Sequence, residues 1–506
     1  MEKKEKIIDR PIYLILLALY PSISLLALNI KEVDLSVTVR PLFASLLFAL
    51  IIFLLHSIFV RTKGDAYIQT AVFLVLFFSY GHVYTYIANY EFAHRFGLYV
   101  HIPLLIVFVL VYVLGRYLRK FLFSQTSAIN LVSLILLIIP FFQIGQYTLS
   151  TQSGDPNETT DPQLHSDSNP DIYYIILDAY NRADNLLLLG YDNSPFLDEL
   201  REIGFFVADC SQSNYQRTAL SLSSSLNMDY IFNAIPNDGP KDDNAKPVYN
   251  SIKNNRVRRE LKNLGYKIFA FQSGYRWGEW RDADIFFKPD ANYLFARYLT
   301  PFEMLFLEST AIKIPIDLKW LPFINDPYIR YGEHYERVHY VLDTLPEVAA
   351  LPGPKFTYAH LIIPHTPYVF LPDGSINPDV DSLEWTDEEG YINNVKFINS
   401  ALVPVIRKVI QESENPPVIV IQADHGTAFL KERRYFILNT YYLPGKEDVE
   451  IPSTITPVNT FRLIFNLYFG ADFSYKDNVS FANDIGRPYK EVTIEFPEEL
   501  SQCLSP

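Results

Sequence analysis

Cysteine is almost missing: the 506 residues contain two, Cys210 and Cys503. Two cannot build a disulfide framework, so stability has to come from an apolar core, which a chain of this length can supply. Pairing in an oxidising compartment stays open, and a free, buried Cys210 is the simpler expectation. Positive charge is scarce too, with 43 Lys and Arg against 57 Asp and Glu and a net charge of −14. That balance argues against nucleic acid as the main partner, because phosphate-backbone binding relies on Lys/Arg patches. Internal repeats and low-complexity tracts are absent as well.

Charge of either sign is missing from five long stretches, residues 11–30, 41–60, 66–90, 96–115 and 121–147, none of which contains Asp, Glu, Lys or Arg. One such residue at the centre of a membrane helix costs roughly 2.5–3.5 kcal/mol on insertion scales, and about 20 apolar residues cross roughly 30 Å of hydrocarbon. Residues 1–147 are therefore predicted to be a transmembrane domain of five spans. The first stretch is too long for a secretory signal, and four more follow it. Residues 1–146 hold 12 Lys/Arg and 7 Asp/Glu, which leaves 31 and 50 for the remainder, net charges of +5 and −19. A single globular fold does not divide in this way.

Orientation follows from the loops. An N-terminus in the cytoplasm puts Lys3, Lys4, Lys6, Arg10, Arg61, Lys63, Arg116, Arg119 and Lys120 inside, against Lys31, Arg40 and Arg95 outside. Lys and Arg accumulate on the cytoplasmic side, so a multi-pass protein of the plasma (inner) membrane is expected, with everything after the fifth span extracytoplasmic. His56, His82, His94 and His101 lie in or near the spans; no span holds an acidic partner, so packing or interfacial roles are expected of them.

Residues 148–170 are polar and rich in Pro, Ser and Asp, and read as a linker. Residues 171–506 alternate short apolar runs with amphipathic stretches. IYYIIL, YKIFAF at 266–271, FTYAHLII at 356–363, VIVIQA at 418–423 and YFIL at 435–438 are candidate strands; 194–203, 218–226, 257–264, 388–411 and 458–467 are candidate helices. Continuous apolar strands separated by helices indicate an α/β domain with a central, mostly parallel sheet. Ligands of such sheets gather beyond the carboxyl ends of the strands.

Three runs end in chemically able groups. IYYIIL closes on Asp178, a polar turn leads into a Ser-rich helix with Thr218 near its start, and VIVIQA closes on Asp424-His425-Gly426. Singly, a strand-end Asp is commonly a turn residue and a Thr before a helix an N-cap. Taken in order, the three resemble the alkaline phosphatase superfamily over most of residues 171–470. With a five-span anchor they are similar to its sulfatase-like membrane enzymes, lipoteichoic acid synthases and phosphoethanolamine transferases. The resemblance implies that Asp178, Thr218, Asp424 and His425 bind one divalent metal, with Thr218 as nucleophile and His365, in HLIIPHTPYVF, facing substrate or leaving group. His360, Arg217 beside the nucleophile and Arg281 in YRWGEWRDAD are candidate substrate-binding residues. His334 and His339, five apart on an apparent helix, lack the zinc-protease spacing and read as a solvated face.

The chemistry is coherent without the family. A threonine hydroxyl is a poor nucleophile unless a base or a metal takes up its proton's charge. Two carboxylates, an imidazole and a hydroxyl suit Zn or Mn better than Mg or Ca. Departures from the family narrow the reading. No Cys/Ser-x-Pro/Ala-x-Arg motif surrounds Cys210 or Ser213, Ala179 stands where a second Asp is usual, and no Asp-x-x-x-His pair lies between Thr218 and Asp424 to hold a second metal. The membrane transferases usually carry Glu at the position of Asp178. The expected activity is transfer of a phospho-alcohol group from a membrane lipid donor to an envelope glycan or lipid acceptor through a covalent Thr intermediate. Hydrolysis of a phosphate or sulfate ester is the alternative, and a catalytically inactive, lipid-binding regulatory membrane protein is the alternative of another class.

Overall fold

The structure, a computed structural model, describes residues 10–60, 62–90, 97–150, 164–165, 169–235, 245–289, 296–384, 386–482, 485–489 and 492–496. Two compact units result: Met1–Pro156 with Ala291–Glu333, and Asn157–Asp290 with His334–Pro506.

In the first unit, helices form at each uncharged stretch: Tyr13–Asn29, Val39–Phe59, Lys63–Ala88, His101–Tyr117 and Thr126–Ser150. Three helices are long and apolar enough to cross a membrane, Leu35–Phe59, Lys63–Ala88 and Thr126–Thr148. The other two are apolar but 17 residues each, about 26 Å at 1.5 Å per residue. Five apolar helices are thus present where five spans were expected, and three have spanning length.

Large side chains such as Phe43, Ile58 and Phe59 are 70%, 74% and 81% exposed, a surface suited to hydrocarbon rather than water. Polar groups inside this unit find partners nearby. Asn130 Oδ1 accepts from the Tyr13 amide at 2.8 Å while Nδ2 donates to Arg10 O at 2.7 Å. His56 lies 3.0 Å from both Thr70 Oγ1 and Tyr112 OH. His101 lies 2.9 Å from Tyr80 OH and 3.1 Å from Asp317 Oδ2, an acidic partner supplied from outside the apolar stretches. His82 is exposed, and His94 lies outside the described residues.

Residues 291–333, which the sequence pattern assigns to the outer domain, group with these helices. Gly81 permits the approach: its amide donates to Ser309 O at 3.0 Å, and a Cβ there would lie 2.0 Å from Glu308 O.

The second unit is built on a seven-stranded sheet of order β2-β7-β6-β1-β5-β3-β4, formed by β1 Ile172–Leu177, β2 Phe205–Val207, β3 Lys267–Phe271, β4 Ile285–Phe287, β5 Lys355–Leu361, β6 Val418–Gln422 and β7 Asn439–Tyr442. β1 is apolar along its whole length and buried on both faces, as a central parallel strand must be. It pairs in parallel with β5 and β6; β7 and β2 run antiparallel at one edge. Tyr174 and Ile176 face a core shared with the helices Thr218–Asn227, Arg256–Asn263 and Thr460–Tyr468.

One candidate strand is misplaced. YFIL makes isolated bridges at Phe436 and Ile437, and the strand is the next four residues, NTYY. NTYY pairs with β6 and β2, whereas the YFIL backbone bonds to the segment just past β1, the Arg182 amide donating to Phe436 O at 3.0 Å and the Leu438 amide to Tyr180 O at 3.3 Å. Cys210 is disulfide-bonded, which corrects the expectation of a free thiol; Cys503 lies outside the described residues. Most of the 148–170 linker also lies outside them, although Leu164 packs on the core and the His165 amide donates to Phe469 O at 3.1 Å.

Candidate active site

Period-two alternation places the polar ends of three strands on one face. Ile176 is in register with His360 of β5 and with Gln422 of β6, so His360, Asp178 two residues past Ile176, and Asp424 two past Gln422 project to the same side. Ala179 turns the chain sharply with φ +64°, and its amide donates to Asp424 Oδ1 at 3.1 Å. The His425 amide donates to the same oxygen at 2.8 Å. Asp424 Oδ1 is thereby saturated, and Oδ2 is left free.

Asp178, His360 and Asp424 form a buried cluster whose ligand atoms lie within 4.8 Å of one another. Both oxygens of Asp178, Oδ2 of Asp424 and Nε2 of His360 are buried without a hydrogen-bond partner. Burying an ion costs several kcal/mol even after relaxation, so two such carboxylates side by side call for a cation. His425 completes a second donor set on the same carboxylates. Its Nε2 lies 3.1 Å from Thr218 Oγ1, 3.4 Å from Asp424 Oδ2 and 3.9 Å from Asp178 Oδ1. Donors around a tetrahedral ion with bonds of 2.0–2.2 Å stand about 3.3–3.6 Å apart; the His425–Asp424 spacing falls in that range, and the spacings to Thr218 and Asp178 lie just to either side of it. His360 Nε2, at 3.3 Å from Asp178 Oδ2, approaches the other oxygen of that carboxylate.

Thr218 is the first residue of the helix Thr218–Asn227; Arg217 is its N-cap and makes no side-chain capping bond. The Thr218 hydroxyl therefore serves His425 rather than the helix end. His425 Nδ1 donates to Gly426 O at 2.8 Å, which leaves the Nε2 lone pair facing Thr218 and the carboxylates. Burial holds the His425 pKa below its ordinary value against the pull of Asp424. The imidazole is neutral at neutral pH, as a metal ligand must be. Burial would raise the Asp178 pKa, but the imidazoles, chiefly of His365 and His360, outweigh it and hold the carboxyl well below the usual range.

His365 joins this group through its backbone: its amide donates to Asp178 O at 3.1 Å, and its ring centre is 6.5 Å from that of His425. Arg217 is exposed at the start of the helix Thr218–Asn227. Arg281 is not among the groups gathered around Asp178: it is exposed, its Nε donates to Glu279 Oε2 at 2.8 Å, and its guanidinium lies over Phe286. The solvated face expected of His334 and His339 is corrected. His334 is buried 3.3 Å from Arg337 and packs on Phe370, and His339 lies against Tyr335 and Phe370.

Arg434 escaped the sequence reading. It follows Lys-Glu-Arg, a run that reads as a solvated surface, and no periodicity marks it. A turn with Lys431 at φ +53° brings it back, and the Gly426 amide donates to Arg434 O at 2.6 Å.

No family model matches the chain, and no curated protein does. Among solved structures, the chain is similar to the zinc complex of the C-terminal periplasmic domain of EcEptC from Escherichia coli, at 14% identity, covering 67% of this chain and 96% of that one, TM-score 0.41. It is similar to the integral membrane lipooligosaccharide phosphoethanolamine transferase A from Neisseria meningitidis at 13% identity, covering 90% and 95%, TM-score 0.38. The lipoteichoic acid synthase LtaP from Listeria monocytogenes matches at 14% identity, covering 67% and 81%, TM-score 0.36.

Proposed function

We propose that the chain is a membrane-anchored, metal-dependent, sulfatase-like phosphotransferase that moves a phospho-alcohol group from a lipid donor to an envelope glycan or lipid through a covalent bond to Thr218. The observation that carries this reading is the Thr218 hydroxyl 3.1 Å from His425 Nε2, beside carboxylate oxygens that have no hydrogen-bond partner. Asp178, Asp424, His425 and Thr218 would hold the ion, Zn or Mn in preference to Mg or Ca, with His360 orienting Asp178. When bound, the ion supplies the positive charge that makes a threonine hydroxyl a nucleophile at neutral pH.

The chain's own groups do the rest. Thr218 sits at a helix N-terminus, where amides and the positive dipole end favour an anionic ester. Its Oγ1 gives its proton to solvent and bonds to phosphorus as the bond to the lipid oxygen breaks in line. His365 Nδ1 donates to Thr366 O at 2.6 Å, which leaves Nε2 to carry a proton to the departing oxygen. An acceptor hydroxyl then gives its proton to His365 Nε2, bonds to phosphorus and releases Thr218 as the Thr218 oxygen takes a proton from solvent. With water as acceptor the same site is a hydrolase.

Three helices of spanning length, the Lys/Arg distribution and a disulfide-bonded Cys210 support an integral membrane protein with a cytoplasmic N-terminus and an extracytoplasmic second unit. Intact-protein mass spectrometry after incubation with membrane lipids tests the reaction. An adduct on Thr218 is expected, its mass identifying the transferred group. A chain with no bound metal and no adduct, whose Thr218→Ala variant behaves as wild type, would overturn the reading.

A further inference from the structure

Among the described residues, Arg182, Arg258, Arg434 and Arg462 are buried, each 8% exposed or less. A buried guanidinium normally faces a carboxylate, since an unpaired charge in the interior costs several kcal/mol. Arg182 has Asp184 at 2.8 Å, Arg258 has Asp282 at 2.9 Å and Arg462 has Asp229 at 3.8 Å. Arg434 has no carboxylate within ion-pair distance among the described residues, and its Nε has no hydrogen-bond partner. Its neighbour Arg433 does find one, Asp184 at 3.8 Å.

The exception sits against the candidate active site. Arg434 Nη2 lies 3.4 Å from His425 Nδ1, but that nitrogen's proton already points at Gly426 O, so the guanidinium gains no acceptor there. Gly426 fixes both residues at once, its carbonyl accepting from His425 and its amide donating to Arg434 O. A Cβ at Gly426 would lie 2.0 Å from Asn181 Oδ1 and 3.0 Å from Arg434 O, so only glycine lets the loop close this tightly. Two carboxylates balance a divalent ion in the donor set, and one fixed positive charge remains.

We propose that Arg434 is the anion-binding cation of this site, contacting the non-bridging oxygens of a singly charged phosphodiester. The proposal deepens the transferase reading and rests on it. One ion and one guanidinium together match the single charge of a diester and the oxygens on which charge is spread as the Thr218 bond forms. A guanidinium presents its donors as a planar fork suited to two such oxygens, which an ammonium does not.

The test uses the full-length, metal-loaded chain. Binding of inorganic phosphate is measured by calorimetry, with metal content by elemental analysis and turnover of bis(p-nitrophenyl) phosphate alongside. Arg434→Met should raise the phosphate Kd at least tenfold and lower kcat/KM about 10²–10³-fold with metal content unchanged; added guanidinium should restore part of the turnover of Arg434→Ala. Should Arg434→Met fail to fold, Arg434→Lys reads the same quantities, with a smaller loss. A phosphate Kd within twofold of wild type, or loss of metal from both variants, overturns the proposal; the latter would make Arg434 a counter-charge to the carboxylates. Thr218→Ala separates this failure from that of the transferase reading: full turnover in that variant sinks the reading, while its phosphate affinity still reports on Arg434.

Discussion

The strand β1 carries an aspartate at each end, and the two are treated in opposite ways. At its entry, Asp171 pairs with the Lys355 ammonium, and its Oδ1 accepts the Lys355 amide at 3.0 Å. Lys355 also donates to Ala349 O at 3.2 Å and Leu351 O at 2.8 Å. At its exit, Asp178 is wholly buried, ringed by imidazoles, and neither oxygen has a hydrogen-bond partner. Residue type and strand are the same, although Asp171 keeps 13% of its side chain exposed and Asp178 none: the entry end is a finished ion pair and the exit end is left without a partner. Burial alone therefore does not mark function. Several unsatisfied acceptors gathered at one point are the stronger sign, because buried polar groups normally find a partner; single ones, such as Tyr13 OH or Thr456 Oγ1, occur away from that point.

The first unit holds both kinds of group, with Tyr13 OH and Ser22 Oγ buried without a partner. Its histidines His56 and His101 have both ring nitrogens hydrogen-bonded, whereas His360 Nε2 and His334 Nε2 have no partner.

The contrast can be broken experimentally. The largest effect falls at the exit end, where Thr218→Ala should lower turnover by about 10⁴-fold or more, some 5.5 kcal/mol, measured with a diester substrate. At the entry end, Lys355→Met leaves the mostly buried Asp171 with the Lys355 amide but without its counter-charge and should cost up to about 3 kcal/mol of stability. Denaturant titration should find that loss equally with and without metal. Asp178→Asn should behave in the reverse manner: metal at a hundredfold excess over its Kd stabilises the wild type by about 2.7 kcal/mol, and that increment should vanish in the variant. An equal metal-induced gain in both would remove Asp178 from the donor set.

The smallest effect concerns His334. Its pKa lies well below the ordinary value because burial, and then Arg337, disfavour the charged ring. The unfolded chain therefore binds the extra proton. The associated stability is complete above the unfolded pKa near 6.5 and declines as pH falls, by up to about 1.4 kcal/mol per pH unit. His334→Gln should flatten the stability profile between pH 6.5 and 5 relative to wild type; an unchanged slope would contradict a neutral, buried His334.

Local pattern carried much of the architecture. IYYIIL reads as a buried strand because every position is apolar, and the helix candidate at 194–203 matches Ser194–Ile203, which stops at Gly204 with φ +106°. Asp178, Thr218, Asp424 and His425 stood out as candidates because each lies just past a strand or at the start of a helix. Tertiary folding settled the rest. It moved the last strand from YFIL to NTYY, joined residues 291–333 to the helical unit, bonded Cys210 and buried His334.

The charge partition, the uncharged stretches and the strand-end groups are properties of neighbours along the chain, so periodicity and hydropathy reveal them. Whether a buried acid is paired or left open depends on groups far away in sequence. Asp171 meets Lys355, Asp178 meets Asp424, and the returning loop sets Arg434 beside His425 with no carboxylate within ion-pair distance among the described residues. Such pairings exist only once the sheet and its loops have closed, because desolvation and hydrogen bonding are decided by what surrounds a group, and covalent sequence does not enumerate those surroundings.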